Sequence, residues 1–194
     1  MKRLDSLKKT QPLRERKMEF HTYPVENGNI LVEGCFRDER LVGGYDWDGT
    51  VRKPGVVHLM YVRMLLAGWP LTIEEIEADM EVVPREICRR MENSVQKVKG
   101  LSISHGYTRS VLNCIGSSKG CTHLTHLVVS MGPASLHGYW TQKMVEPRPI
   151  PNSIEELPGY EHLVGSCAIW AKAVSYTHLR AHETVLDLVC RLLL

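Results

Sequence analysis

Apolar and polar residues change their period along the chain. Met18-Glu-Phe-His-Thr-Tyr23 alternates, the period of a half-buried strand. Asn27-Gly28 follows as a hairpin turn signal, and Asn29 to Arg37 returns as a second strand. Leu41 to Pro54 breaks the pattern with Gly43-Gly44, Asp46, Asp48-Gly49 and Pro54, and reads as a loop. Asp46 and Asp48 look superficially like a calcium loop, but no Glu stands at its twelfth position. Val56 to Leu66 is β-branched and apolar on both faces, which predicts a central strand. Beyond the turn at Gly68-Trp69-Pro70, Thr72 and Glu75 have the spacing of a helix capping box. The shortness of that turn favours immediate antiparallel pairing instead, so Leu71 to Ala78 is predicted as a strand. From Pro84 the period becomes helical, with Ile87, Met91, Val95 and Val98 on one face and Lys97, Lys99 and Gly100 at the end. Tyr107 to Ile115, closed by Gly116, is a second helix. Gly120 opens a third, with Leu124, Leu127, Val128 and Met131 as its apolar stripe. The expected fold is α+β: an antiparallel sheet of three to four strands followed by helices packed on one face.

Composition refines this outline. The 194 residues suit one domain with extensions. Residues 1–17 are polar and basic (Lys2, Arg3, Lys8, Lys9, Arg14, Arg16, Lys17) and read as a solvated arm, with no aromatics interleaved for base stacking. Residues 18–140 are expected to form the single α+β domain. Residues 141–173 form a proline-rich appendage carrying Pro147, Pro149, Pro151 and Pro158. The tail, 174–194, stands apart: Val174 to Thr184 and Leu188 to Leu194 each resemble a translated sequencing-library adapter, separated by a short index. The expectation is that this tail is an artefact and that the gene was truncated near Ala173.

Lys and Arg total 24 against 22 Asp and Glu, so the net charge of +2 argues against a nucleic-acid groove. No apolar run approaches the eighteen residues of a membrane span. Without the tail five cysteines remain, Cys35, Cys88, Cys114, Cys121 and Cys167. They are scattered, and no secretory signal precedes them, so a reducing, cytoplasmic location is expected. Any partner would be another protein, of a kind the sequence does not specify.

Reactive residue types are densest in Gly120-Cys121-Thr122-His123-Leu124-Thr125-His126. A cysteine at a helix start meets unpaired backbone N–H groups and the positive end of the dipole, an environment that favours the thiolate. The alternative is that Cys121 is a small apolar residue on the Leu124/Val128 face. On a regular helix His123 points away from Cys121, so the two converge only if Cys121 is the cap residue. His58 shares a strand face with Met60, Val62 and Met64 and reads either as a ligand or as a hydrogen-bonded core histidine. Cys88, in the first turn of its helix, reads either as a ligand or as core; Cys35 and Cys114 read as structural. GxSxG, glycine-rich phosphate loops and HExxH are all absent from the sequence.

Blocks along the chain resemble the bacterial domain-of-unknown-function family 2889. They are Val32-Glu-Gly-Cys-Phe-Arg-Asp38, Val57-His58-Leu-Met60 with Arg63, Leu71-Thr-Ile73 with Ala78, Pro84 with Cys88, Leu101-Ser-Ile103 with Gly106, and Gly120-Cys121-Thr-His-Leu124. The resemblance runs from about Phe20 to His137. It departs from the family pattern at His126, where the family has an acid, and at Leu59, where the family has an Asp. That family has no assigned activity, so the resemblance implies position and not function. At the level of fold the order of elements is also similar to iron–sulfur scaffold proteins of the NifU type. That likeness implies ligands at His58, Cys88 and Cys121, with His123 beside the last.

The leading expectation is a small protein binding a zinc ion or an iron–sulfur cluster through His58, Cys88, Cys121 and His123. Two other readings stay open. One is a metal-free structural or adaptor domain with core cysteines, and the other is a thiol enzyme with Cys121 as nucleophile.

Overall fold

The computed structural model describes residues 2–147 together with Glu156, Val164 and Gly165. The chain divides into two compact units, Met1–Lys143 and Met144–Leu194. Much of the expected appendage and all of the adapter-like tail lie outside the described residues.

Four long strands form one antiparallel sheet: β1 (Arg14–Pro24), β2 (Ile30–Arg40), β5 (Gly55–Ala67) and β6 (Thr72–Val82), in the order β1-β2-β5-β6. Between β2 and β5 lies a small hairpin of two-residue strands, β3 (Gly44–Tyr45) and β4 (Val51–Arg52). A 3-10 helix (Glu86–Val98), α1 (Tyr107–Ile115) and α2 (Thr122–Lys143) follow the sheet. The fold class is thus α+β, with the helices packed on one face of the sheet.

Alternation decides which face. In β2, Ile30, Val32, Gly34, Phe36 and Asp38 are buried, and in β5 His58, Met60, Val62, Met64 and Leu66. These meet Val95, Val98, Val111, Ile115, Leu124, Leu127, Val128 and Met131 from the helices in one core. The opposite face is mostly polar, with Glu19, Glu33, Arg63, Glu77 and Asp79 around a shallow depression that also includes Cys35 and Tyr61. One apolar and one wet face is ordinary for an antiparallel sheet.

Four details differ from the sequence-based outline. The first strand begins at Arg14, inside the segment read as an arm, because Arg14 and Arg16 continue the inward alternation of Met18 and Phe20 and find an acid partner there. The loop Leu41 to Pro54 contains the β3–β4 hairpin. Its acids are engaged locally, Asp46 with the Arg52 guanidinium and Asp48 Oδ1 with the Thr50 amide at 2.9 Å. The segment after Pro84 winds as a 3-10 helix. With three residues per turn, Cys88, Met91 and Ser94 align, and Ile87 leaves the core face to stand exposed. Finally, α2 runs through Pro133 and Gly138 to Lys143, past the expected boundary at residue 140.

Close approach sets where α2 lies. A Cβ on Gly34 would meet Leu127 Cδ1 and Met131 Sδ at 3.2 Å, so the helix rests on β2 just where the strand lacks a side chain. Within α2, a Cβ on Gly132 would stand 2.5 Å from Tyr107 Cε1. That ring is fixed, because its hydroxyl donates to the Val128 carbonyl at 2.9 Å. Overpacking of this kind costs about 1–3 kcal/mol, against about 1 kcal/mol gained in helix propensity. Gly132→Ala is therefore expected to destabilise by up to about 2 kcal/mol in urea unfolding. In a Tyr107→Leu background, which removes the ring, the same change should cost less.

Candidate functional site

At one end of the sheet three strands align a charged rung. Asp38 of β2 stands opposite Arg16 of β1 and opposite His58 of β5. Immediately beyond, the register slips, with Asp38 paired to His58 but Glu39 paired to Val56. A bulge of this kind re-aims side chains and is common beside functional sites. The next rung inward is apolar, Met18–Phe36–Met60.

Asp38 is fully buried and ionised. Burial pushes its carboxyl up. Hydrogen bonds from Arg14 and His58, with the charges of Arg14 and Arg16, outweigh that and hold it well below the usual carboxylate range. Arg14 Nε donates to Oδ1 at 2.7 Å while its terminal nitrogen meets Oδ2, a bidentate pair. His58 Nδ1 lies 2.9 Å from Oδ2. An ionised carboxylate only accepts, so Nδ1 carries the proton and donates it. In the neutral ring this bond fixes the tautomer and leaves the Nε2 lone pair for a ligand.

The start of α2 supplies the other half. Thr125 N donates to the Cys121 carbonyl at 2.9 Å, and the helix proper begins at Thr122. Cys121 is therefore the cap residue, the condition under which His123 converges on it. Cys121 Sγ and His123 Nδ1 are 3.8 Å apart. The His123 ring lies 4.1 Å from the His58 ring and 5.0 Å from Phe36, centroid to centroid. One donor atom each from Asp38, His58 and His123 fall within 4.8 Å of one another.

Burial pushes the His123 imidazole down to about 4, helped by the nearby His58 and by the Arg16 charge, with Asp38 acting against them. An unfolded histidine titrates near 6.5, so between about pH 6.5 and 4 the unfolded chain takes up a proton that the folded chain refuses. Stability is full above this window and falls as the pH drops through it. For metal-free protein, the unfolding free energy from urea titration should decline from pH 7 to pH 4.5 by about 1–2 kcal/mol, discounted for partial solvent screening. His123→Gln should flatten that slope.

Of the four residues singled out in the sequence, the structure brings His58 and His123 together and sets Cys121 against His123. Cys88 sits half-buried on the 3-10 helix; it and Cys121 both pack against the core, and neither is a member of the Asp38–His58–His123 group, Cys121 reaching it only through His123. Sequence reasoning missed Asp38, Arg14 and Arg16. Cys114 packs against the core, as a structural reading of it requires. Cys35 lies on the opposite, polar face, where its thiol bonds Tyr61; burial pushes that thiol up.

Fold and site together define a small α+β protein with a buried carboxylate–histidine pair and a second histidine at a helix start. The chain matches the family model described as "Protein of unknown function (DUF2889)" over residues 14–137, well over half its length, and belongs to that family. No curated protein and no solved structure matches the chain. Among the described residues no helix is long and apolar enough to cross a membrane.

Proposed function

We propose that this protein binds a single divalent metal ion of the zinc type, with His58 Nε2, His123 and Cys121 Sγ as ligands and Asp38 as the group that orients His58. The observation that carries this reading is the pairing of two imidazoles from β5 and α2 beside an ionised, buried carboxylate. Metal-bound histidines commonly donate their other ring nitrogen to a carboxylate, which fixes the ring and raises its basicity. Asp38 is saturated by Arg14 and His58, so it serves behind the ligands. His123 is held neutral near pH 7, the form that ligates.

Zinc with nitrogen and sulfur at 2.0–2.3 Å spaces its ligand atoms by about 3.5 Å. Cys121 Sγ stands 3.8 Å from His123 Nδ1 and one donor atom each of His58 and His123 lie within 4.8 Å, so Cys121 has to turn toward His58 for all three to close on one ion. Thiolate and imidazole donors together suit zinc or iron. An iron–sulfur cluster draws most of its ligands from cysteine, so one cysteine with two histidines favours a mononuclear ion. Three protein ligands leave a fourth position for water or substrate, the arrangement of catalytic rather than purely structural zinc sites.

Native mass spectrometry after zinc loading and desalting tests this. One zinc should remain per chain in the wild type and in Cys88→Ser, and be lost in Cys121→Ser, because a serine hydroxyl stays protonated where the thiolate was the ligand. Zinc retained in Cys121→Ser but lost in Cys88→Ser would reject this ligand set.

The 3.8 Å Cys121–His123 contact supports a second reading, a thiol nucleophile with a histidine base. Its acid partner is weak, since Asp38 orients His58 and not His123. Selective alkylation of Cys121 by iodoacetamide near neutral pH, unaffected by added zinc, would favour it.

A further inference from the structure

Resting on the metal reading above, we infer that the open position beside His58 and His123 takes a small oxyanion, a carboxylate or phosphate group, and that Arg16 recognises it. Two guanidinium groups face one carboxylate here. Arg14 satisfies Asp38 in bidentate fashion, and His58 takes a further lone pair of the same group. Arg16 is left with one long contact, its terminal nitrogen 3.5 Å from Asp38 Oδ2, and half its side chain is open to solvent. Two nearby carboxylates on these strands are engaged with other cations, Glu15 with Lys17 and Glu39 with Arg37.

The position of Arg16 is built rather than incidental. Its guanidinium lies over the Phe36 ring, 5.3 Å from the centroid, and the same ring lies 5.0 Å from that of His123. A guanidinium over a ring face keeps its N–H donors at its edge, where they can still meet an anion. The α2 helix opens at the same place, and the first N–H groups of a helix lack intrahelical acceptors and attract anions. Two guanidinium groups, Arg14 and Arg16, meet the single carboxylate of Asp38, so a dication would add to an excess of positive charge. An anionic ligand that bridges metal and Arg16 relieves that excess, and a planar or tetrahedral oxyanion matches the guanidinium fork.

The test titrates inorganic phosphate and acetate separately into zinc-loaded wild type, Arg16→Gln and Arg16→Lys. It follows the side-chain NMR signals of Arg16, His58 and His123, with zinc content measured on each sample. Saturable shifts are expected in the wild type. Binding should be about tenfold or more weaker in Arg16→Gln, the loss of one charge-assisted hydrogen bond, and partly restored in Arg16→Lys. Stronger binding of phosphate assigns a phosphate ligand, and stronger binding of acetate a carboxylate. Equal affinity in wild type and Arg16→Gln at equal zinc content, or no saturable shift with either anion, overturns the inference. Should the wild type hold no zinc, the metal reading fails on its own. The anion arm is then read on metal-free protein: saturable shifts that depend on Arg16 sustain an oxyanion site, and their absence removes it.

Discussion

Alanine at His58 or at His123 is expected to lower zinc affinity by more than 100-fold, roughly the upper limit of what an outer-shell change costs. The reason is geometric. Each ring comes from a different element, and each is held by contacts that do not depend on the metal, His58 by Asp38 at 2.9 Å and His123 by the start of α2 against Phe36. Removing either leaves two protein donors, too few to hold the ion against water. Asp38→Asn should act more mildly, by roughly 10–100-fold, because the amide can still accept from His58 Nδ1 but no longer fixes the tautomer with a full charge. Competition with a zinc-binding dye, read as a displacement curve for each variant, measures the series. Equal affinities for wild type, His58→Ala and His123→Ala would place the ion elsewhere.

The second large effect is on stability. Asp38→Asn is expected to cost about 3 kcal/mol in urea unfolding near neutral pH, since it strands Arg14 and Arg16 beside a group that no longer carries charge. Removing one partner of a buried ion pair costs about 3–5 kcal/mol, and the half-exposed arginines, which can turn to water, put this case at the lower end. The sign with pH follows from the lowered titration of Asp38. A carboxylate held below its unfolded value near 3.9 contributes its full stability above that value and loses it as the pH falls toward the folded one. Wild type and Asp38→Asn should thus differ by a constant amount above about pH 5 and converge below about pH 4. The His123 slope, which lies between about pH 4 and 6.5, should persist in both.

These two expectations rest on residues of unequal legibility. The sheet was readable because Met18 to Tyr23 alternates and Val56 to Leu66 is apolar on both faces, which leaves few arrangements other than a central strand with neighbours. The fourth strand was decided by the short turn at Gly68-Trp69-Pro70 over the capping-box spacing of Thr72 and Glu75, and β6 occupies Thr72–Val82. The 3-10 winding of Glu86–Val98 was not readable, since Ile87, Met91, Val95 and Val98 satisfy a helical period that only packing can refuse. His58 and the Cys121–His123 pair stood out as reactive types on apolar faces. Asp38 did not, because the second strand was read to end at Arg37. Carrying the alternation Ile30, Val32, Gly34, Phe36 one step further puts an acid on the buried face, where a charge must find partners. The same extension backward from Met18 reaches Arg16 and Arg14. Cys88 and Cys121 both pack against the core, so residue type and burial did not separate them; the contact of Cys121 with His123 does.

The most direct measurement is the electronic absorption spectrum of the protein titrated with cobalt(II) in place of zinc. A tetrahedral site of two imidazoles, one thiolate and an exchangeable ligand should give strong visible ligand-field bands that saturate at one equivalent, together with a near-ultraviolet thiolate-to-cobalt charge-transfer band. Cys121→Ser should abolish the charge-transfer band, and Cys88→Ser should leave it intact. A spectrum indistinguishable from that of free hexaaqua cobalt(II), or a charge-transfer band that survives Cys121→Ser and vanishes with Cys88→Ser, would contradict the assignment of His58, Cys121 and His123 as the metal site.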